Sequence, residues 1–277
     1  MTTGTQVQTF LRQRFGDTDG NFLTDGLTLT LLDQAQNQIV TEFMELRRYK
    51  GFTTSAYQEA FSIPTDCIMI EVAWHARNLK RVLTKTTPAA FFRRQQVVDG
   101  AVGDPVIWTE MEGKVYVWPR YASASNTTTI TATMAITGDP IIATVGQLTA
   151  KGIVRIDSED IEYTNKGTSG TLGGVIRGSG GTTAATHASA ATVTQLDFQL
   201  LYRRTAASLS TIGETLDVTS NYRQLLEAYC LYLAYLAEGS QQKAADQFKV
   251  YEKMTQQQSY SAEKADLSGN IRIQDAL

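Results

Sequence analysis

The chain has 277 residues, 42% of them apolar and 19% charged, with a formal net charge of -3 at pH 7; this suits one compact body with an additional module and gives no global attraction to nucleic acid or anionic lipid. No apolar run approaches the roughly 20 residues that a bilayer span requires, and Met1-Thr2-Thr3-Gly4 lacks both the charged and the apolar part of a signal peptide, so the expectation is a chain kept in the cytoplasm, away from membranes. Cys67 and Cys230 lie far apart, each within an apolar stretch, which predicts two buried free thiols and argues against a disulfide framework.

From the N-terminus, Thr5-Gln6-Val7-Gln8 has capping-box spacing, and Val7, Phe10 and Leu11 recur at helical intervals up to Gly16; a short first helix is predicted. After a loop over 16–21, Thr24 and Asp25 offer caps for a second helix with the stripe Leu31, Leu32, Ala35, Ile39, Phe43 and Leu46. Arg47, Arg48 and Lys50 before Gly51 are expected at its C-terminal end, where cations suit the dipole and glycine supplies a stop. From Phe52 the period becomes two. Tyr57, Phe61 and Ile63, then Ile68, Ile70, Val72 and Trp74 beyond Pro64, read as strands. Thr87-Pro88 opens a small helix. A hairpin follows, with Val106, Ile107 and Trp108 entering the turn Met111-Glu112-Gly113 and Val115, Tyr116, Val117 and Trp118 leaving it toward Pro119.

After Tyr121 the composition shifts to Ser, Thr, Ala and Gly until about Thr194. Residues 130–136, 153–156, 161–163 and 172–176 are short β-rich runs; a flexible linker would not hold so many spaced Ile and Val residues, so a small all-β domain is predicted. Phe198, Leu200 and Tyr202 alternate again and are expected to partner the strand at 115–118. Near Ser220-Asn221 a helix begins with the stripe Tyr222, Leu225, Leu226, Tyr229, Leu233 and Leu236, apolar almost all round over 228–237, which places it centrally or between subunits. Glu238-Gly239-Ser240 breaks it, and Ala244, Phe248, Tyr251 and Met254 mark the second arm of an αα-hairpin. The pattern fades over 256–269, leaving a polar tail that ends with Ile271, Ile273 and Leu277 and suits docking on a neighbouring protein. The class is α+β: a helical body with a small antiparallel sheet and an inserted all-β domain, divided as 1–122, 123–196, 197–260 and a tail over 261–277.

The search for chemistry yields little. His75 and His187 are the two imidazoles and no Cys-x-x-Cys occurs, so neither a zinc centre nor another cofactor is expected. Gly173-Gly174-Val175-Ile176-Arg177-Gly178 continues with Ser179-Gly180 and lacks the lysine of a phosphate loop. Asp17-Thr18-Asp19-Gly20-Asn21 begins like a calcium loop, but Phe22 and Thr28 stand where glycine and the bidentate glutamate belong; a plain polar loop is expected. Asp157, Glu159, Asp160 and Glu162 could serve as paired carboxylates in glycoside hydrolysis, yet strand parity sets Asp157 and Glu159 on one face and Asp160 and Glu162 on the other, so a solvated or turn-capping role is predicted. Arg77, Lys80, Arg81, Lys85, Arg93 and Arg94, beside Phe91 and Phe92, form a basic stretch without a nucleic-acid-reading motif; it reads as a charged surface, compatible with sequence-blind contact to passing DNA.

Several segments in order resemble the head-to-tail adaptor (connector) proteins of tailed bacteriophages: Phe10-Leu11 with Phe15-Gly16-Asp17, Leu32-Asp33-Gln34-Ala35-Gln36, Tyr57 to Ile63-Pro64-Thr65-Asp66, and Val115-Tyr116-Val117-Trp118-Pro119. The ending is similar to the closing helical hairpin of that group, in Glu214-Thr215-Leu216-Asp217-Val218, Tyr222, Leu226, Tyr229, Leu231, Tyr232, Ala234, Tyr235, Lys243-Ala244-Ala245 and Phe248 to Tyr251. The resemblance covers roughly 1–121 and 197–260. Within the insert, Gly152 to Tyr163 and Arg177-Gly178 through Gly181-Thr182-Thr183-Ala184-Ala185-Thr186-His187 to Val193 resemble a small β-module recurring in phage virion proteins. In it His187 is expected to make a structural hydrogen bond, with Asp157, Glu159 and Arg177 paired nearby.

The adaptor resemblance implies a structural protein of the virion, assembled in host cytoplasm. It implies a homo-oligomeric ring, commonly dodecameric, between the portal protein and a tail or nozzle protein, with DNA passing through the lumen and no catalysis. Tyr229, Tyr232 and Tyr235 are the expected subunit-packing residues, although intra-subunit core accounts for most of them. Leu267, Ile271, Ile273 and Leu277 are the expected portal contacts. Two other readings remain: a tail-side glycan- or receptor-binding virion protein, which needs exposed aromatics although Tyr163 is the module's one large aromatic, and a hydrolase using the acids of the insert.

Overall fold

The computed structural model describes residues 2–44, 46–75, 81–98, 100–167 and 170–274, and within the last helix it describes side chains through residue 258. Its helices are α1 (Gly4–Phe15), α2 (Asp25–Phe43), α3 (Pro88–Val97), α4 (Arg223–Glu238) and α5 (Gln241–Gln274). The first strands are β1 (Arg47–Phe52), β2 (Ala60–Ser62), β3 (Cys67–His75), β4 (Arg81–Val82), β5 (Thr84–Lys85), β6 (Ile107–Met111) and β7 (Lys114–Trp118). Then come β8 (Thr127–Thr129), β9 (Gly152–Ile156), β10 (Glu159–Tyr163), β11 (Asn165–Lys166), β12 (Leu172–Gly173), β13 (Thr192–Gln195) and β14 (Phe198–Arg204). The class is mixed α+β with small, mainly antiparallel sheets. The chain forms two compact units, a helical one from Met1–Leu46 and Thr205–Leu277 and a β unit over Arg47–Arg204. Among the described residues no helix is long and apolar enough to cross a membrane.

In the helical unit, α1, α2, α4 and α5 bury one core that includes Val7, Leu11, Leu32, Ile39, Leu226, Leu231 and Tyr251. The capping box at α1 lies two residues earlier than its spacing suggested: Thr3 Oγ1 accepts from Gln6 N (3.4 Å) and Gln6 Oε1 from Thr3 N (3.2 Å). There the chain arrives extended, bridged to Thr215, and the cap forms where that extended entry ends. Thr24 caps α2 as expected. The polar side of α2 holds a distant segment, with Gln36 Nε2 donating to Ala207 O (2.6 Å) and Leu209 N to Asp33 Oδ1 (2.9 Å). The loop that begins like a calcium site is organised by Asp17, whose carboxylate accepts from the amides of Asn21, Phe22 and Leu23. Asp17→Ala leaves these donors to water and is expected to cost about 1–2 kcal/mol, read as a lower chemical-denaturation midpoint of the 222 nm circular dichroism; an unchanged midpoint would count against this role.

Two sequence expectations for the helical unit fail. Arg47, Arg48 and Lys50 do not close α2, which stops at Phe43 with Met44 extended; they lie in β1, paired with β14 at six positions from Arg47↔Arg203 to Phe52↔Phe198. Long-range pairing outweighs a local preference for basic residues at a helix end. The segment assigned to a polar tail continues α5 to Gln274, because Gln, Ala, Glu, Lys and Leu are favourable helix formers even without an apolar stripe.

The β unit contains a sheet ordered β1-β14-β3-β4 and a second ordered β2-β7-β6-β5. β14 pairs with β1 and β3, whereas β7 pairs with β2 and β6; the expected pairing of β14 with β7 does not occur, since both strands already have two neighbours. They meet instead through side chains, with Phe61, Val115 and Val117 sharing a core with Phe198, Leu200 and Tyr202, and Phe61 stacked on Phe198 at 4.5 Å. A third sheet, β10-β9-β13-β8, encloses its own core of Ile130, Val154, Ile156, Ile161, Tyr163, Leu172 and Val193, as a folded β-module requires. Residues 130–136 make isolated bridges, Ile130 to Ile142 and Met134 to His187, and not the continuous strand expected there.

Candidate functional site

A dense group of ionisable side chains sits in the β-module around Glu159. β9 and β10 are joined by Asp157-Ser158, with Glu159 registered on Ile156 and Asp157 at φ 52, a left-handed conformation that aspartate tolerates better than most residues. Glu159 shares strand parity with Ile161 and Tyr163, so its carboxylate enters the module with the apolar face. Its side chain is 0% exposed. An isolated buried carboxylate would be strongly disfavoured.

Five donors of the same chain offset that cost. Arg177 Nε donates to Glu159 Oε1 (2.7 Å) and Nη2 to Oε2 (2.8 Å). The amides of Gly178 and Ala185 donate to Oε1 (2.8 Å) and Oε2 (3.0 Å), and His187 Nε2 lies 2.9 Å from Oε2. The remaining Arg177 N–H groups reach Ala135 O, Gly138 O and Ala185 O, so the whole guanidinium fork is engaged. His187 Nδ1 lies 2.7 Å from Asp157 Oδ2, which ties the β9–β10 turn to the segment carrying His187. Burial alone would raise the Glu159 carboxyl; the Arg177 bonds, the Ala185 amide, His187 and the Gly178 amide outweigh it and hold the group at about 2.

Asp157, Glu159, Arg177 and His187 therefore converge, while the solvated or turn-capping role expected for the acid group fails at Glu159 and Asp160; Asp157, at the β9–β10 turn, has a side chain 60% exposed. Glu159 and Asp160 are both buried, and Asp160 is paired through both oxygens with Arg155 (2.6 and 2.9 Å). Sequence reading missed a second polar knot at the base of the module. Asp197 Oδ2 accepts from Thr54 Oγ1 (2.9 Å) and Ser125 Oγ (2.8 Å), and Tyr121 OH donates to Asp197 O (3.2 Å). Its one sequence signal is an aspartate between the apolar residues Leu196 and Phe198.

Tyr229, Tyr232 and Tyr235 are half-buried on α4. Tyr229 and Tyr232 pack on Tyr251 (4.8 Å) and Phe248 (4.9 Å) of α5, and Tyr235 stacks on Phe15 (5.1 Å). Leu267, Ile271 and Ile273 fall on the α5 backbone with side chains outside the described residues, and Leu277 lies outside them altogether. Arg77 and Lys80 also lie outside the described residues, whereas Arg81, Lys85, Arg93 and Arg94 are exposed and Phe91 is buried. Both cysteines are free; burial, then Glu110 and Asp66, pushes the Cys67 thiol up to about 11, and burial raises Cys230. Among the described residues no group of three or more His, Cys, Asp and Glu could hold a metal ion. No protein-family model matches this sequence, and no curated protein matches it either.

Proposed function

We propose that this protein is a structural subunit of a tailed-bacteriophage particle: a head-to-tail adaptor that forms a ring between the portal and the tail, with DNA passing through its centre. The sequence resemblance over 1–121 and 197–260 supports the adaptor reading. The observation that carries its structural, non-enzymatic side is the saturation of Glu159. A general acid or base must meet its substrate at hydrogen-bond distance, and this carboxylate is fully buried and already receives five donors of its own chain. Glycan binding is disfavoured in the same module, because Tyr163 is 1% exposed and donates its hydroxyl to Thr149 O (3.0 Å), leaving no large ring for a sugar to stack on. The β unit carries more Lys and Arg than Asp and Glu, and the helical unit the reverse; of the two, the β unit is better suited to face a polyanion.

A cyclic head-to-tail ring needs two unlike lateral faces and end surfaces for other partners. Tyr229, Tyr232 and Tyr235 are proposed for subunit packing, and the C-terminal positions Leu267, Ile271, Ile273 and Leu277 for portal contact. Mixing the full chain with isolated portal rings is expected to give portals capped by an added ring in electron micrographs. Removal of 267–277 is expected to weaken that capping severalfold. A full chain that stays monomeric and never joins the portal would overturn the proposal.

A further inference from the structure

Two exposed patches of the β unit carry opposite charge. The first is a shallow cup of about 340 Å³ at the end of α3, lined by Arg93, Arg94, Val97, Val98 and Trp118. α3 sets Phe91 against Tyr116 of β7 and leaves this end uncovered, with Val97 83% exposed. Among the described residues neither guanidinium has a hydrogen-bond or ion-pair partner.

The second patch is the loop over 135–141 of the β-module, which follows the bridge from Met134 to His187. It exposes Ile136 and Ile141 on either side of Asp139, whose carboxylate likewise has no partner among the described residues. The backbone of the loop is held from inside the module. Arg177 Nη1 donates to Ala135 O and Gly138 O (2.9 Å each), and the same guanidinium is fixed by Glu159. The buried cluster thus presents the loop in one shape, which removes ordering cost from a contact that the loop makes.

We propose that the 135–141 loop of one copy seats in the α3 cup of the next: Ile136 and Ile141 cover Val97, Val98 and Trp118, and Asp139 pairs with Arg93 and Arg94. Both patches stay exposed in the single chain, so neither covers the other within it, and the contact joins unlike surfaces, as a head-to-tail ring requires. The inference rests on the ring reading and names one of its lateral contacts. Charge selects this occupant. Arg and Trp anchor interfaces where apolar neighbours exclude water around them, and among the described residues no acid lines the cup. The groove formed by α1, α4 and α5 has Glu227 in its wall, which opposes Asp139. A nucleic-acid backbone would meet the two guanidiniums and leave the valines uncovered.

The test is disulfide trapping in the full chain, alone and with isolated portal rings, since a disulfide needs its two Cα atoms within about 7 Å. Val97→Cys combined with Ile136→Cys is expected to give a ladder of covalent multimers under mild oxidation, whereas each single variant stops at dimers because it links only like to like. Adding Arg93→Glu and Arg94→Glu is expected to abolish the ladder, and adding Asp139→Lys to that chain to restore it. Wild-type multimers or rings whose double-cysteine variant forms no ladder overturn this inference alone; a wild type that stays monomeric in both settings overturns the ring reading with it. A ladder indifferent to the charge reversals also overturns the inference, and if they abolish portal capping instead, the cup belongs to the portal. Circular dichroism at 222 nm checks that each variant folds; one that does not is replaced by Val98→Cys or Ile141→Cys in the same patch and judged by the same outcomes.

Discussion

Glu159→Gln is expected to lower the stability of the β unit by about 3–5 kcal/mol, because removing one partner of a buried ion pair leaves the other charge uncompensated. Here the stranded groups are Arg177 and His187, 12% and 1% exposed, together with the amides of Gly178 and Ala185. Trp74, Trp108 and Trp118 all belong to the β unit, so tryptophan fluorescence during urea unfolding isolates the effect, while the 222 nm signal weights the helical unit. Arg177→Met is expected to cost a similar amount. The double variant should lose less than the two single losses added, since it removes both charges. A fluorescence midpoint for Glu159→Gln within error of wild type would show that the cluster is not a structural latch.

The same carboxylate gives a pH dependence with a definite sign. Its folded-state value of about 2 lies below the ordinary 4.5, so the unfolded chain binds the proton more readily. The stabilisation is complete above about 4.5 and is lost as pH falls from there through about 2. Wild type is therefore expected to lose β-unit stability across that window more steeply than Glu159→Gln. Parallel curves for the two chains would contradict the assignment.

Phe198→Ala is expected to cost about 3–5 kcal/mol, the range for deleting a large buried ring. Phe198 is 0% exposed and lies where the two sheets meet, stacked on Phe61 at 4.5 Å and tilted against Phe52 at 5.6 Å. Phe52→Ala, at a half-buried position, should cost clearly less. Fluorescence-monitored unfolding of both variants checks the ranking. Equal losses would mean that the sheets do not share the core around Phe198.

The elements legible in the sequence were those whose pattern is local. α1, α2, α3 and α4 follow from apolar spacing and from caps such as Thr24 and Thr87, and the β6–β7 hairpin from alternation around Glu112-Gly113. The candidate site was partly legible: its members were nameable from the module's resemblance, but the burial of Glu159 was not inferred although the residue shares parity with Ile161 and Tyr163. A run of four acids reads as solvated until its cations, Arg155 and Arg177, are brought beside it. Arg177 lies 18 positions from Glu159 in sequence, and no helical or strand period links them.

Sequence by itself thus determined the α+β class, the helical stripes, and the existence of a small β-rich insert with few large side chains. Tertiary structure alone decided that Arg47–Phe52 is a strand and not a helix end, that β14 lies between β1 and β3, and that the chain divides at 46/47 and 204/205. The physical reason is one of range. Helix stripes and caps depend on residues three or four apart, whereas strand partners and the companions of a buried charge are set by which distant surfaces exclude water together.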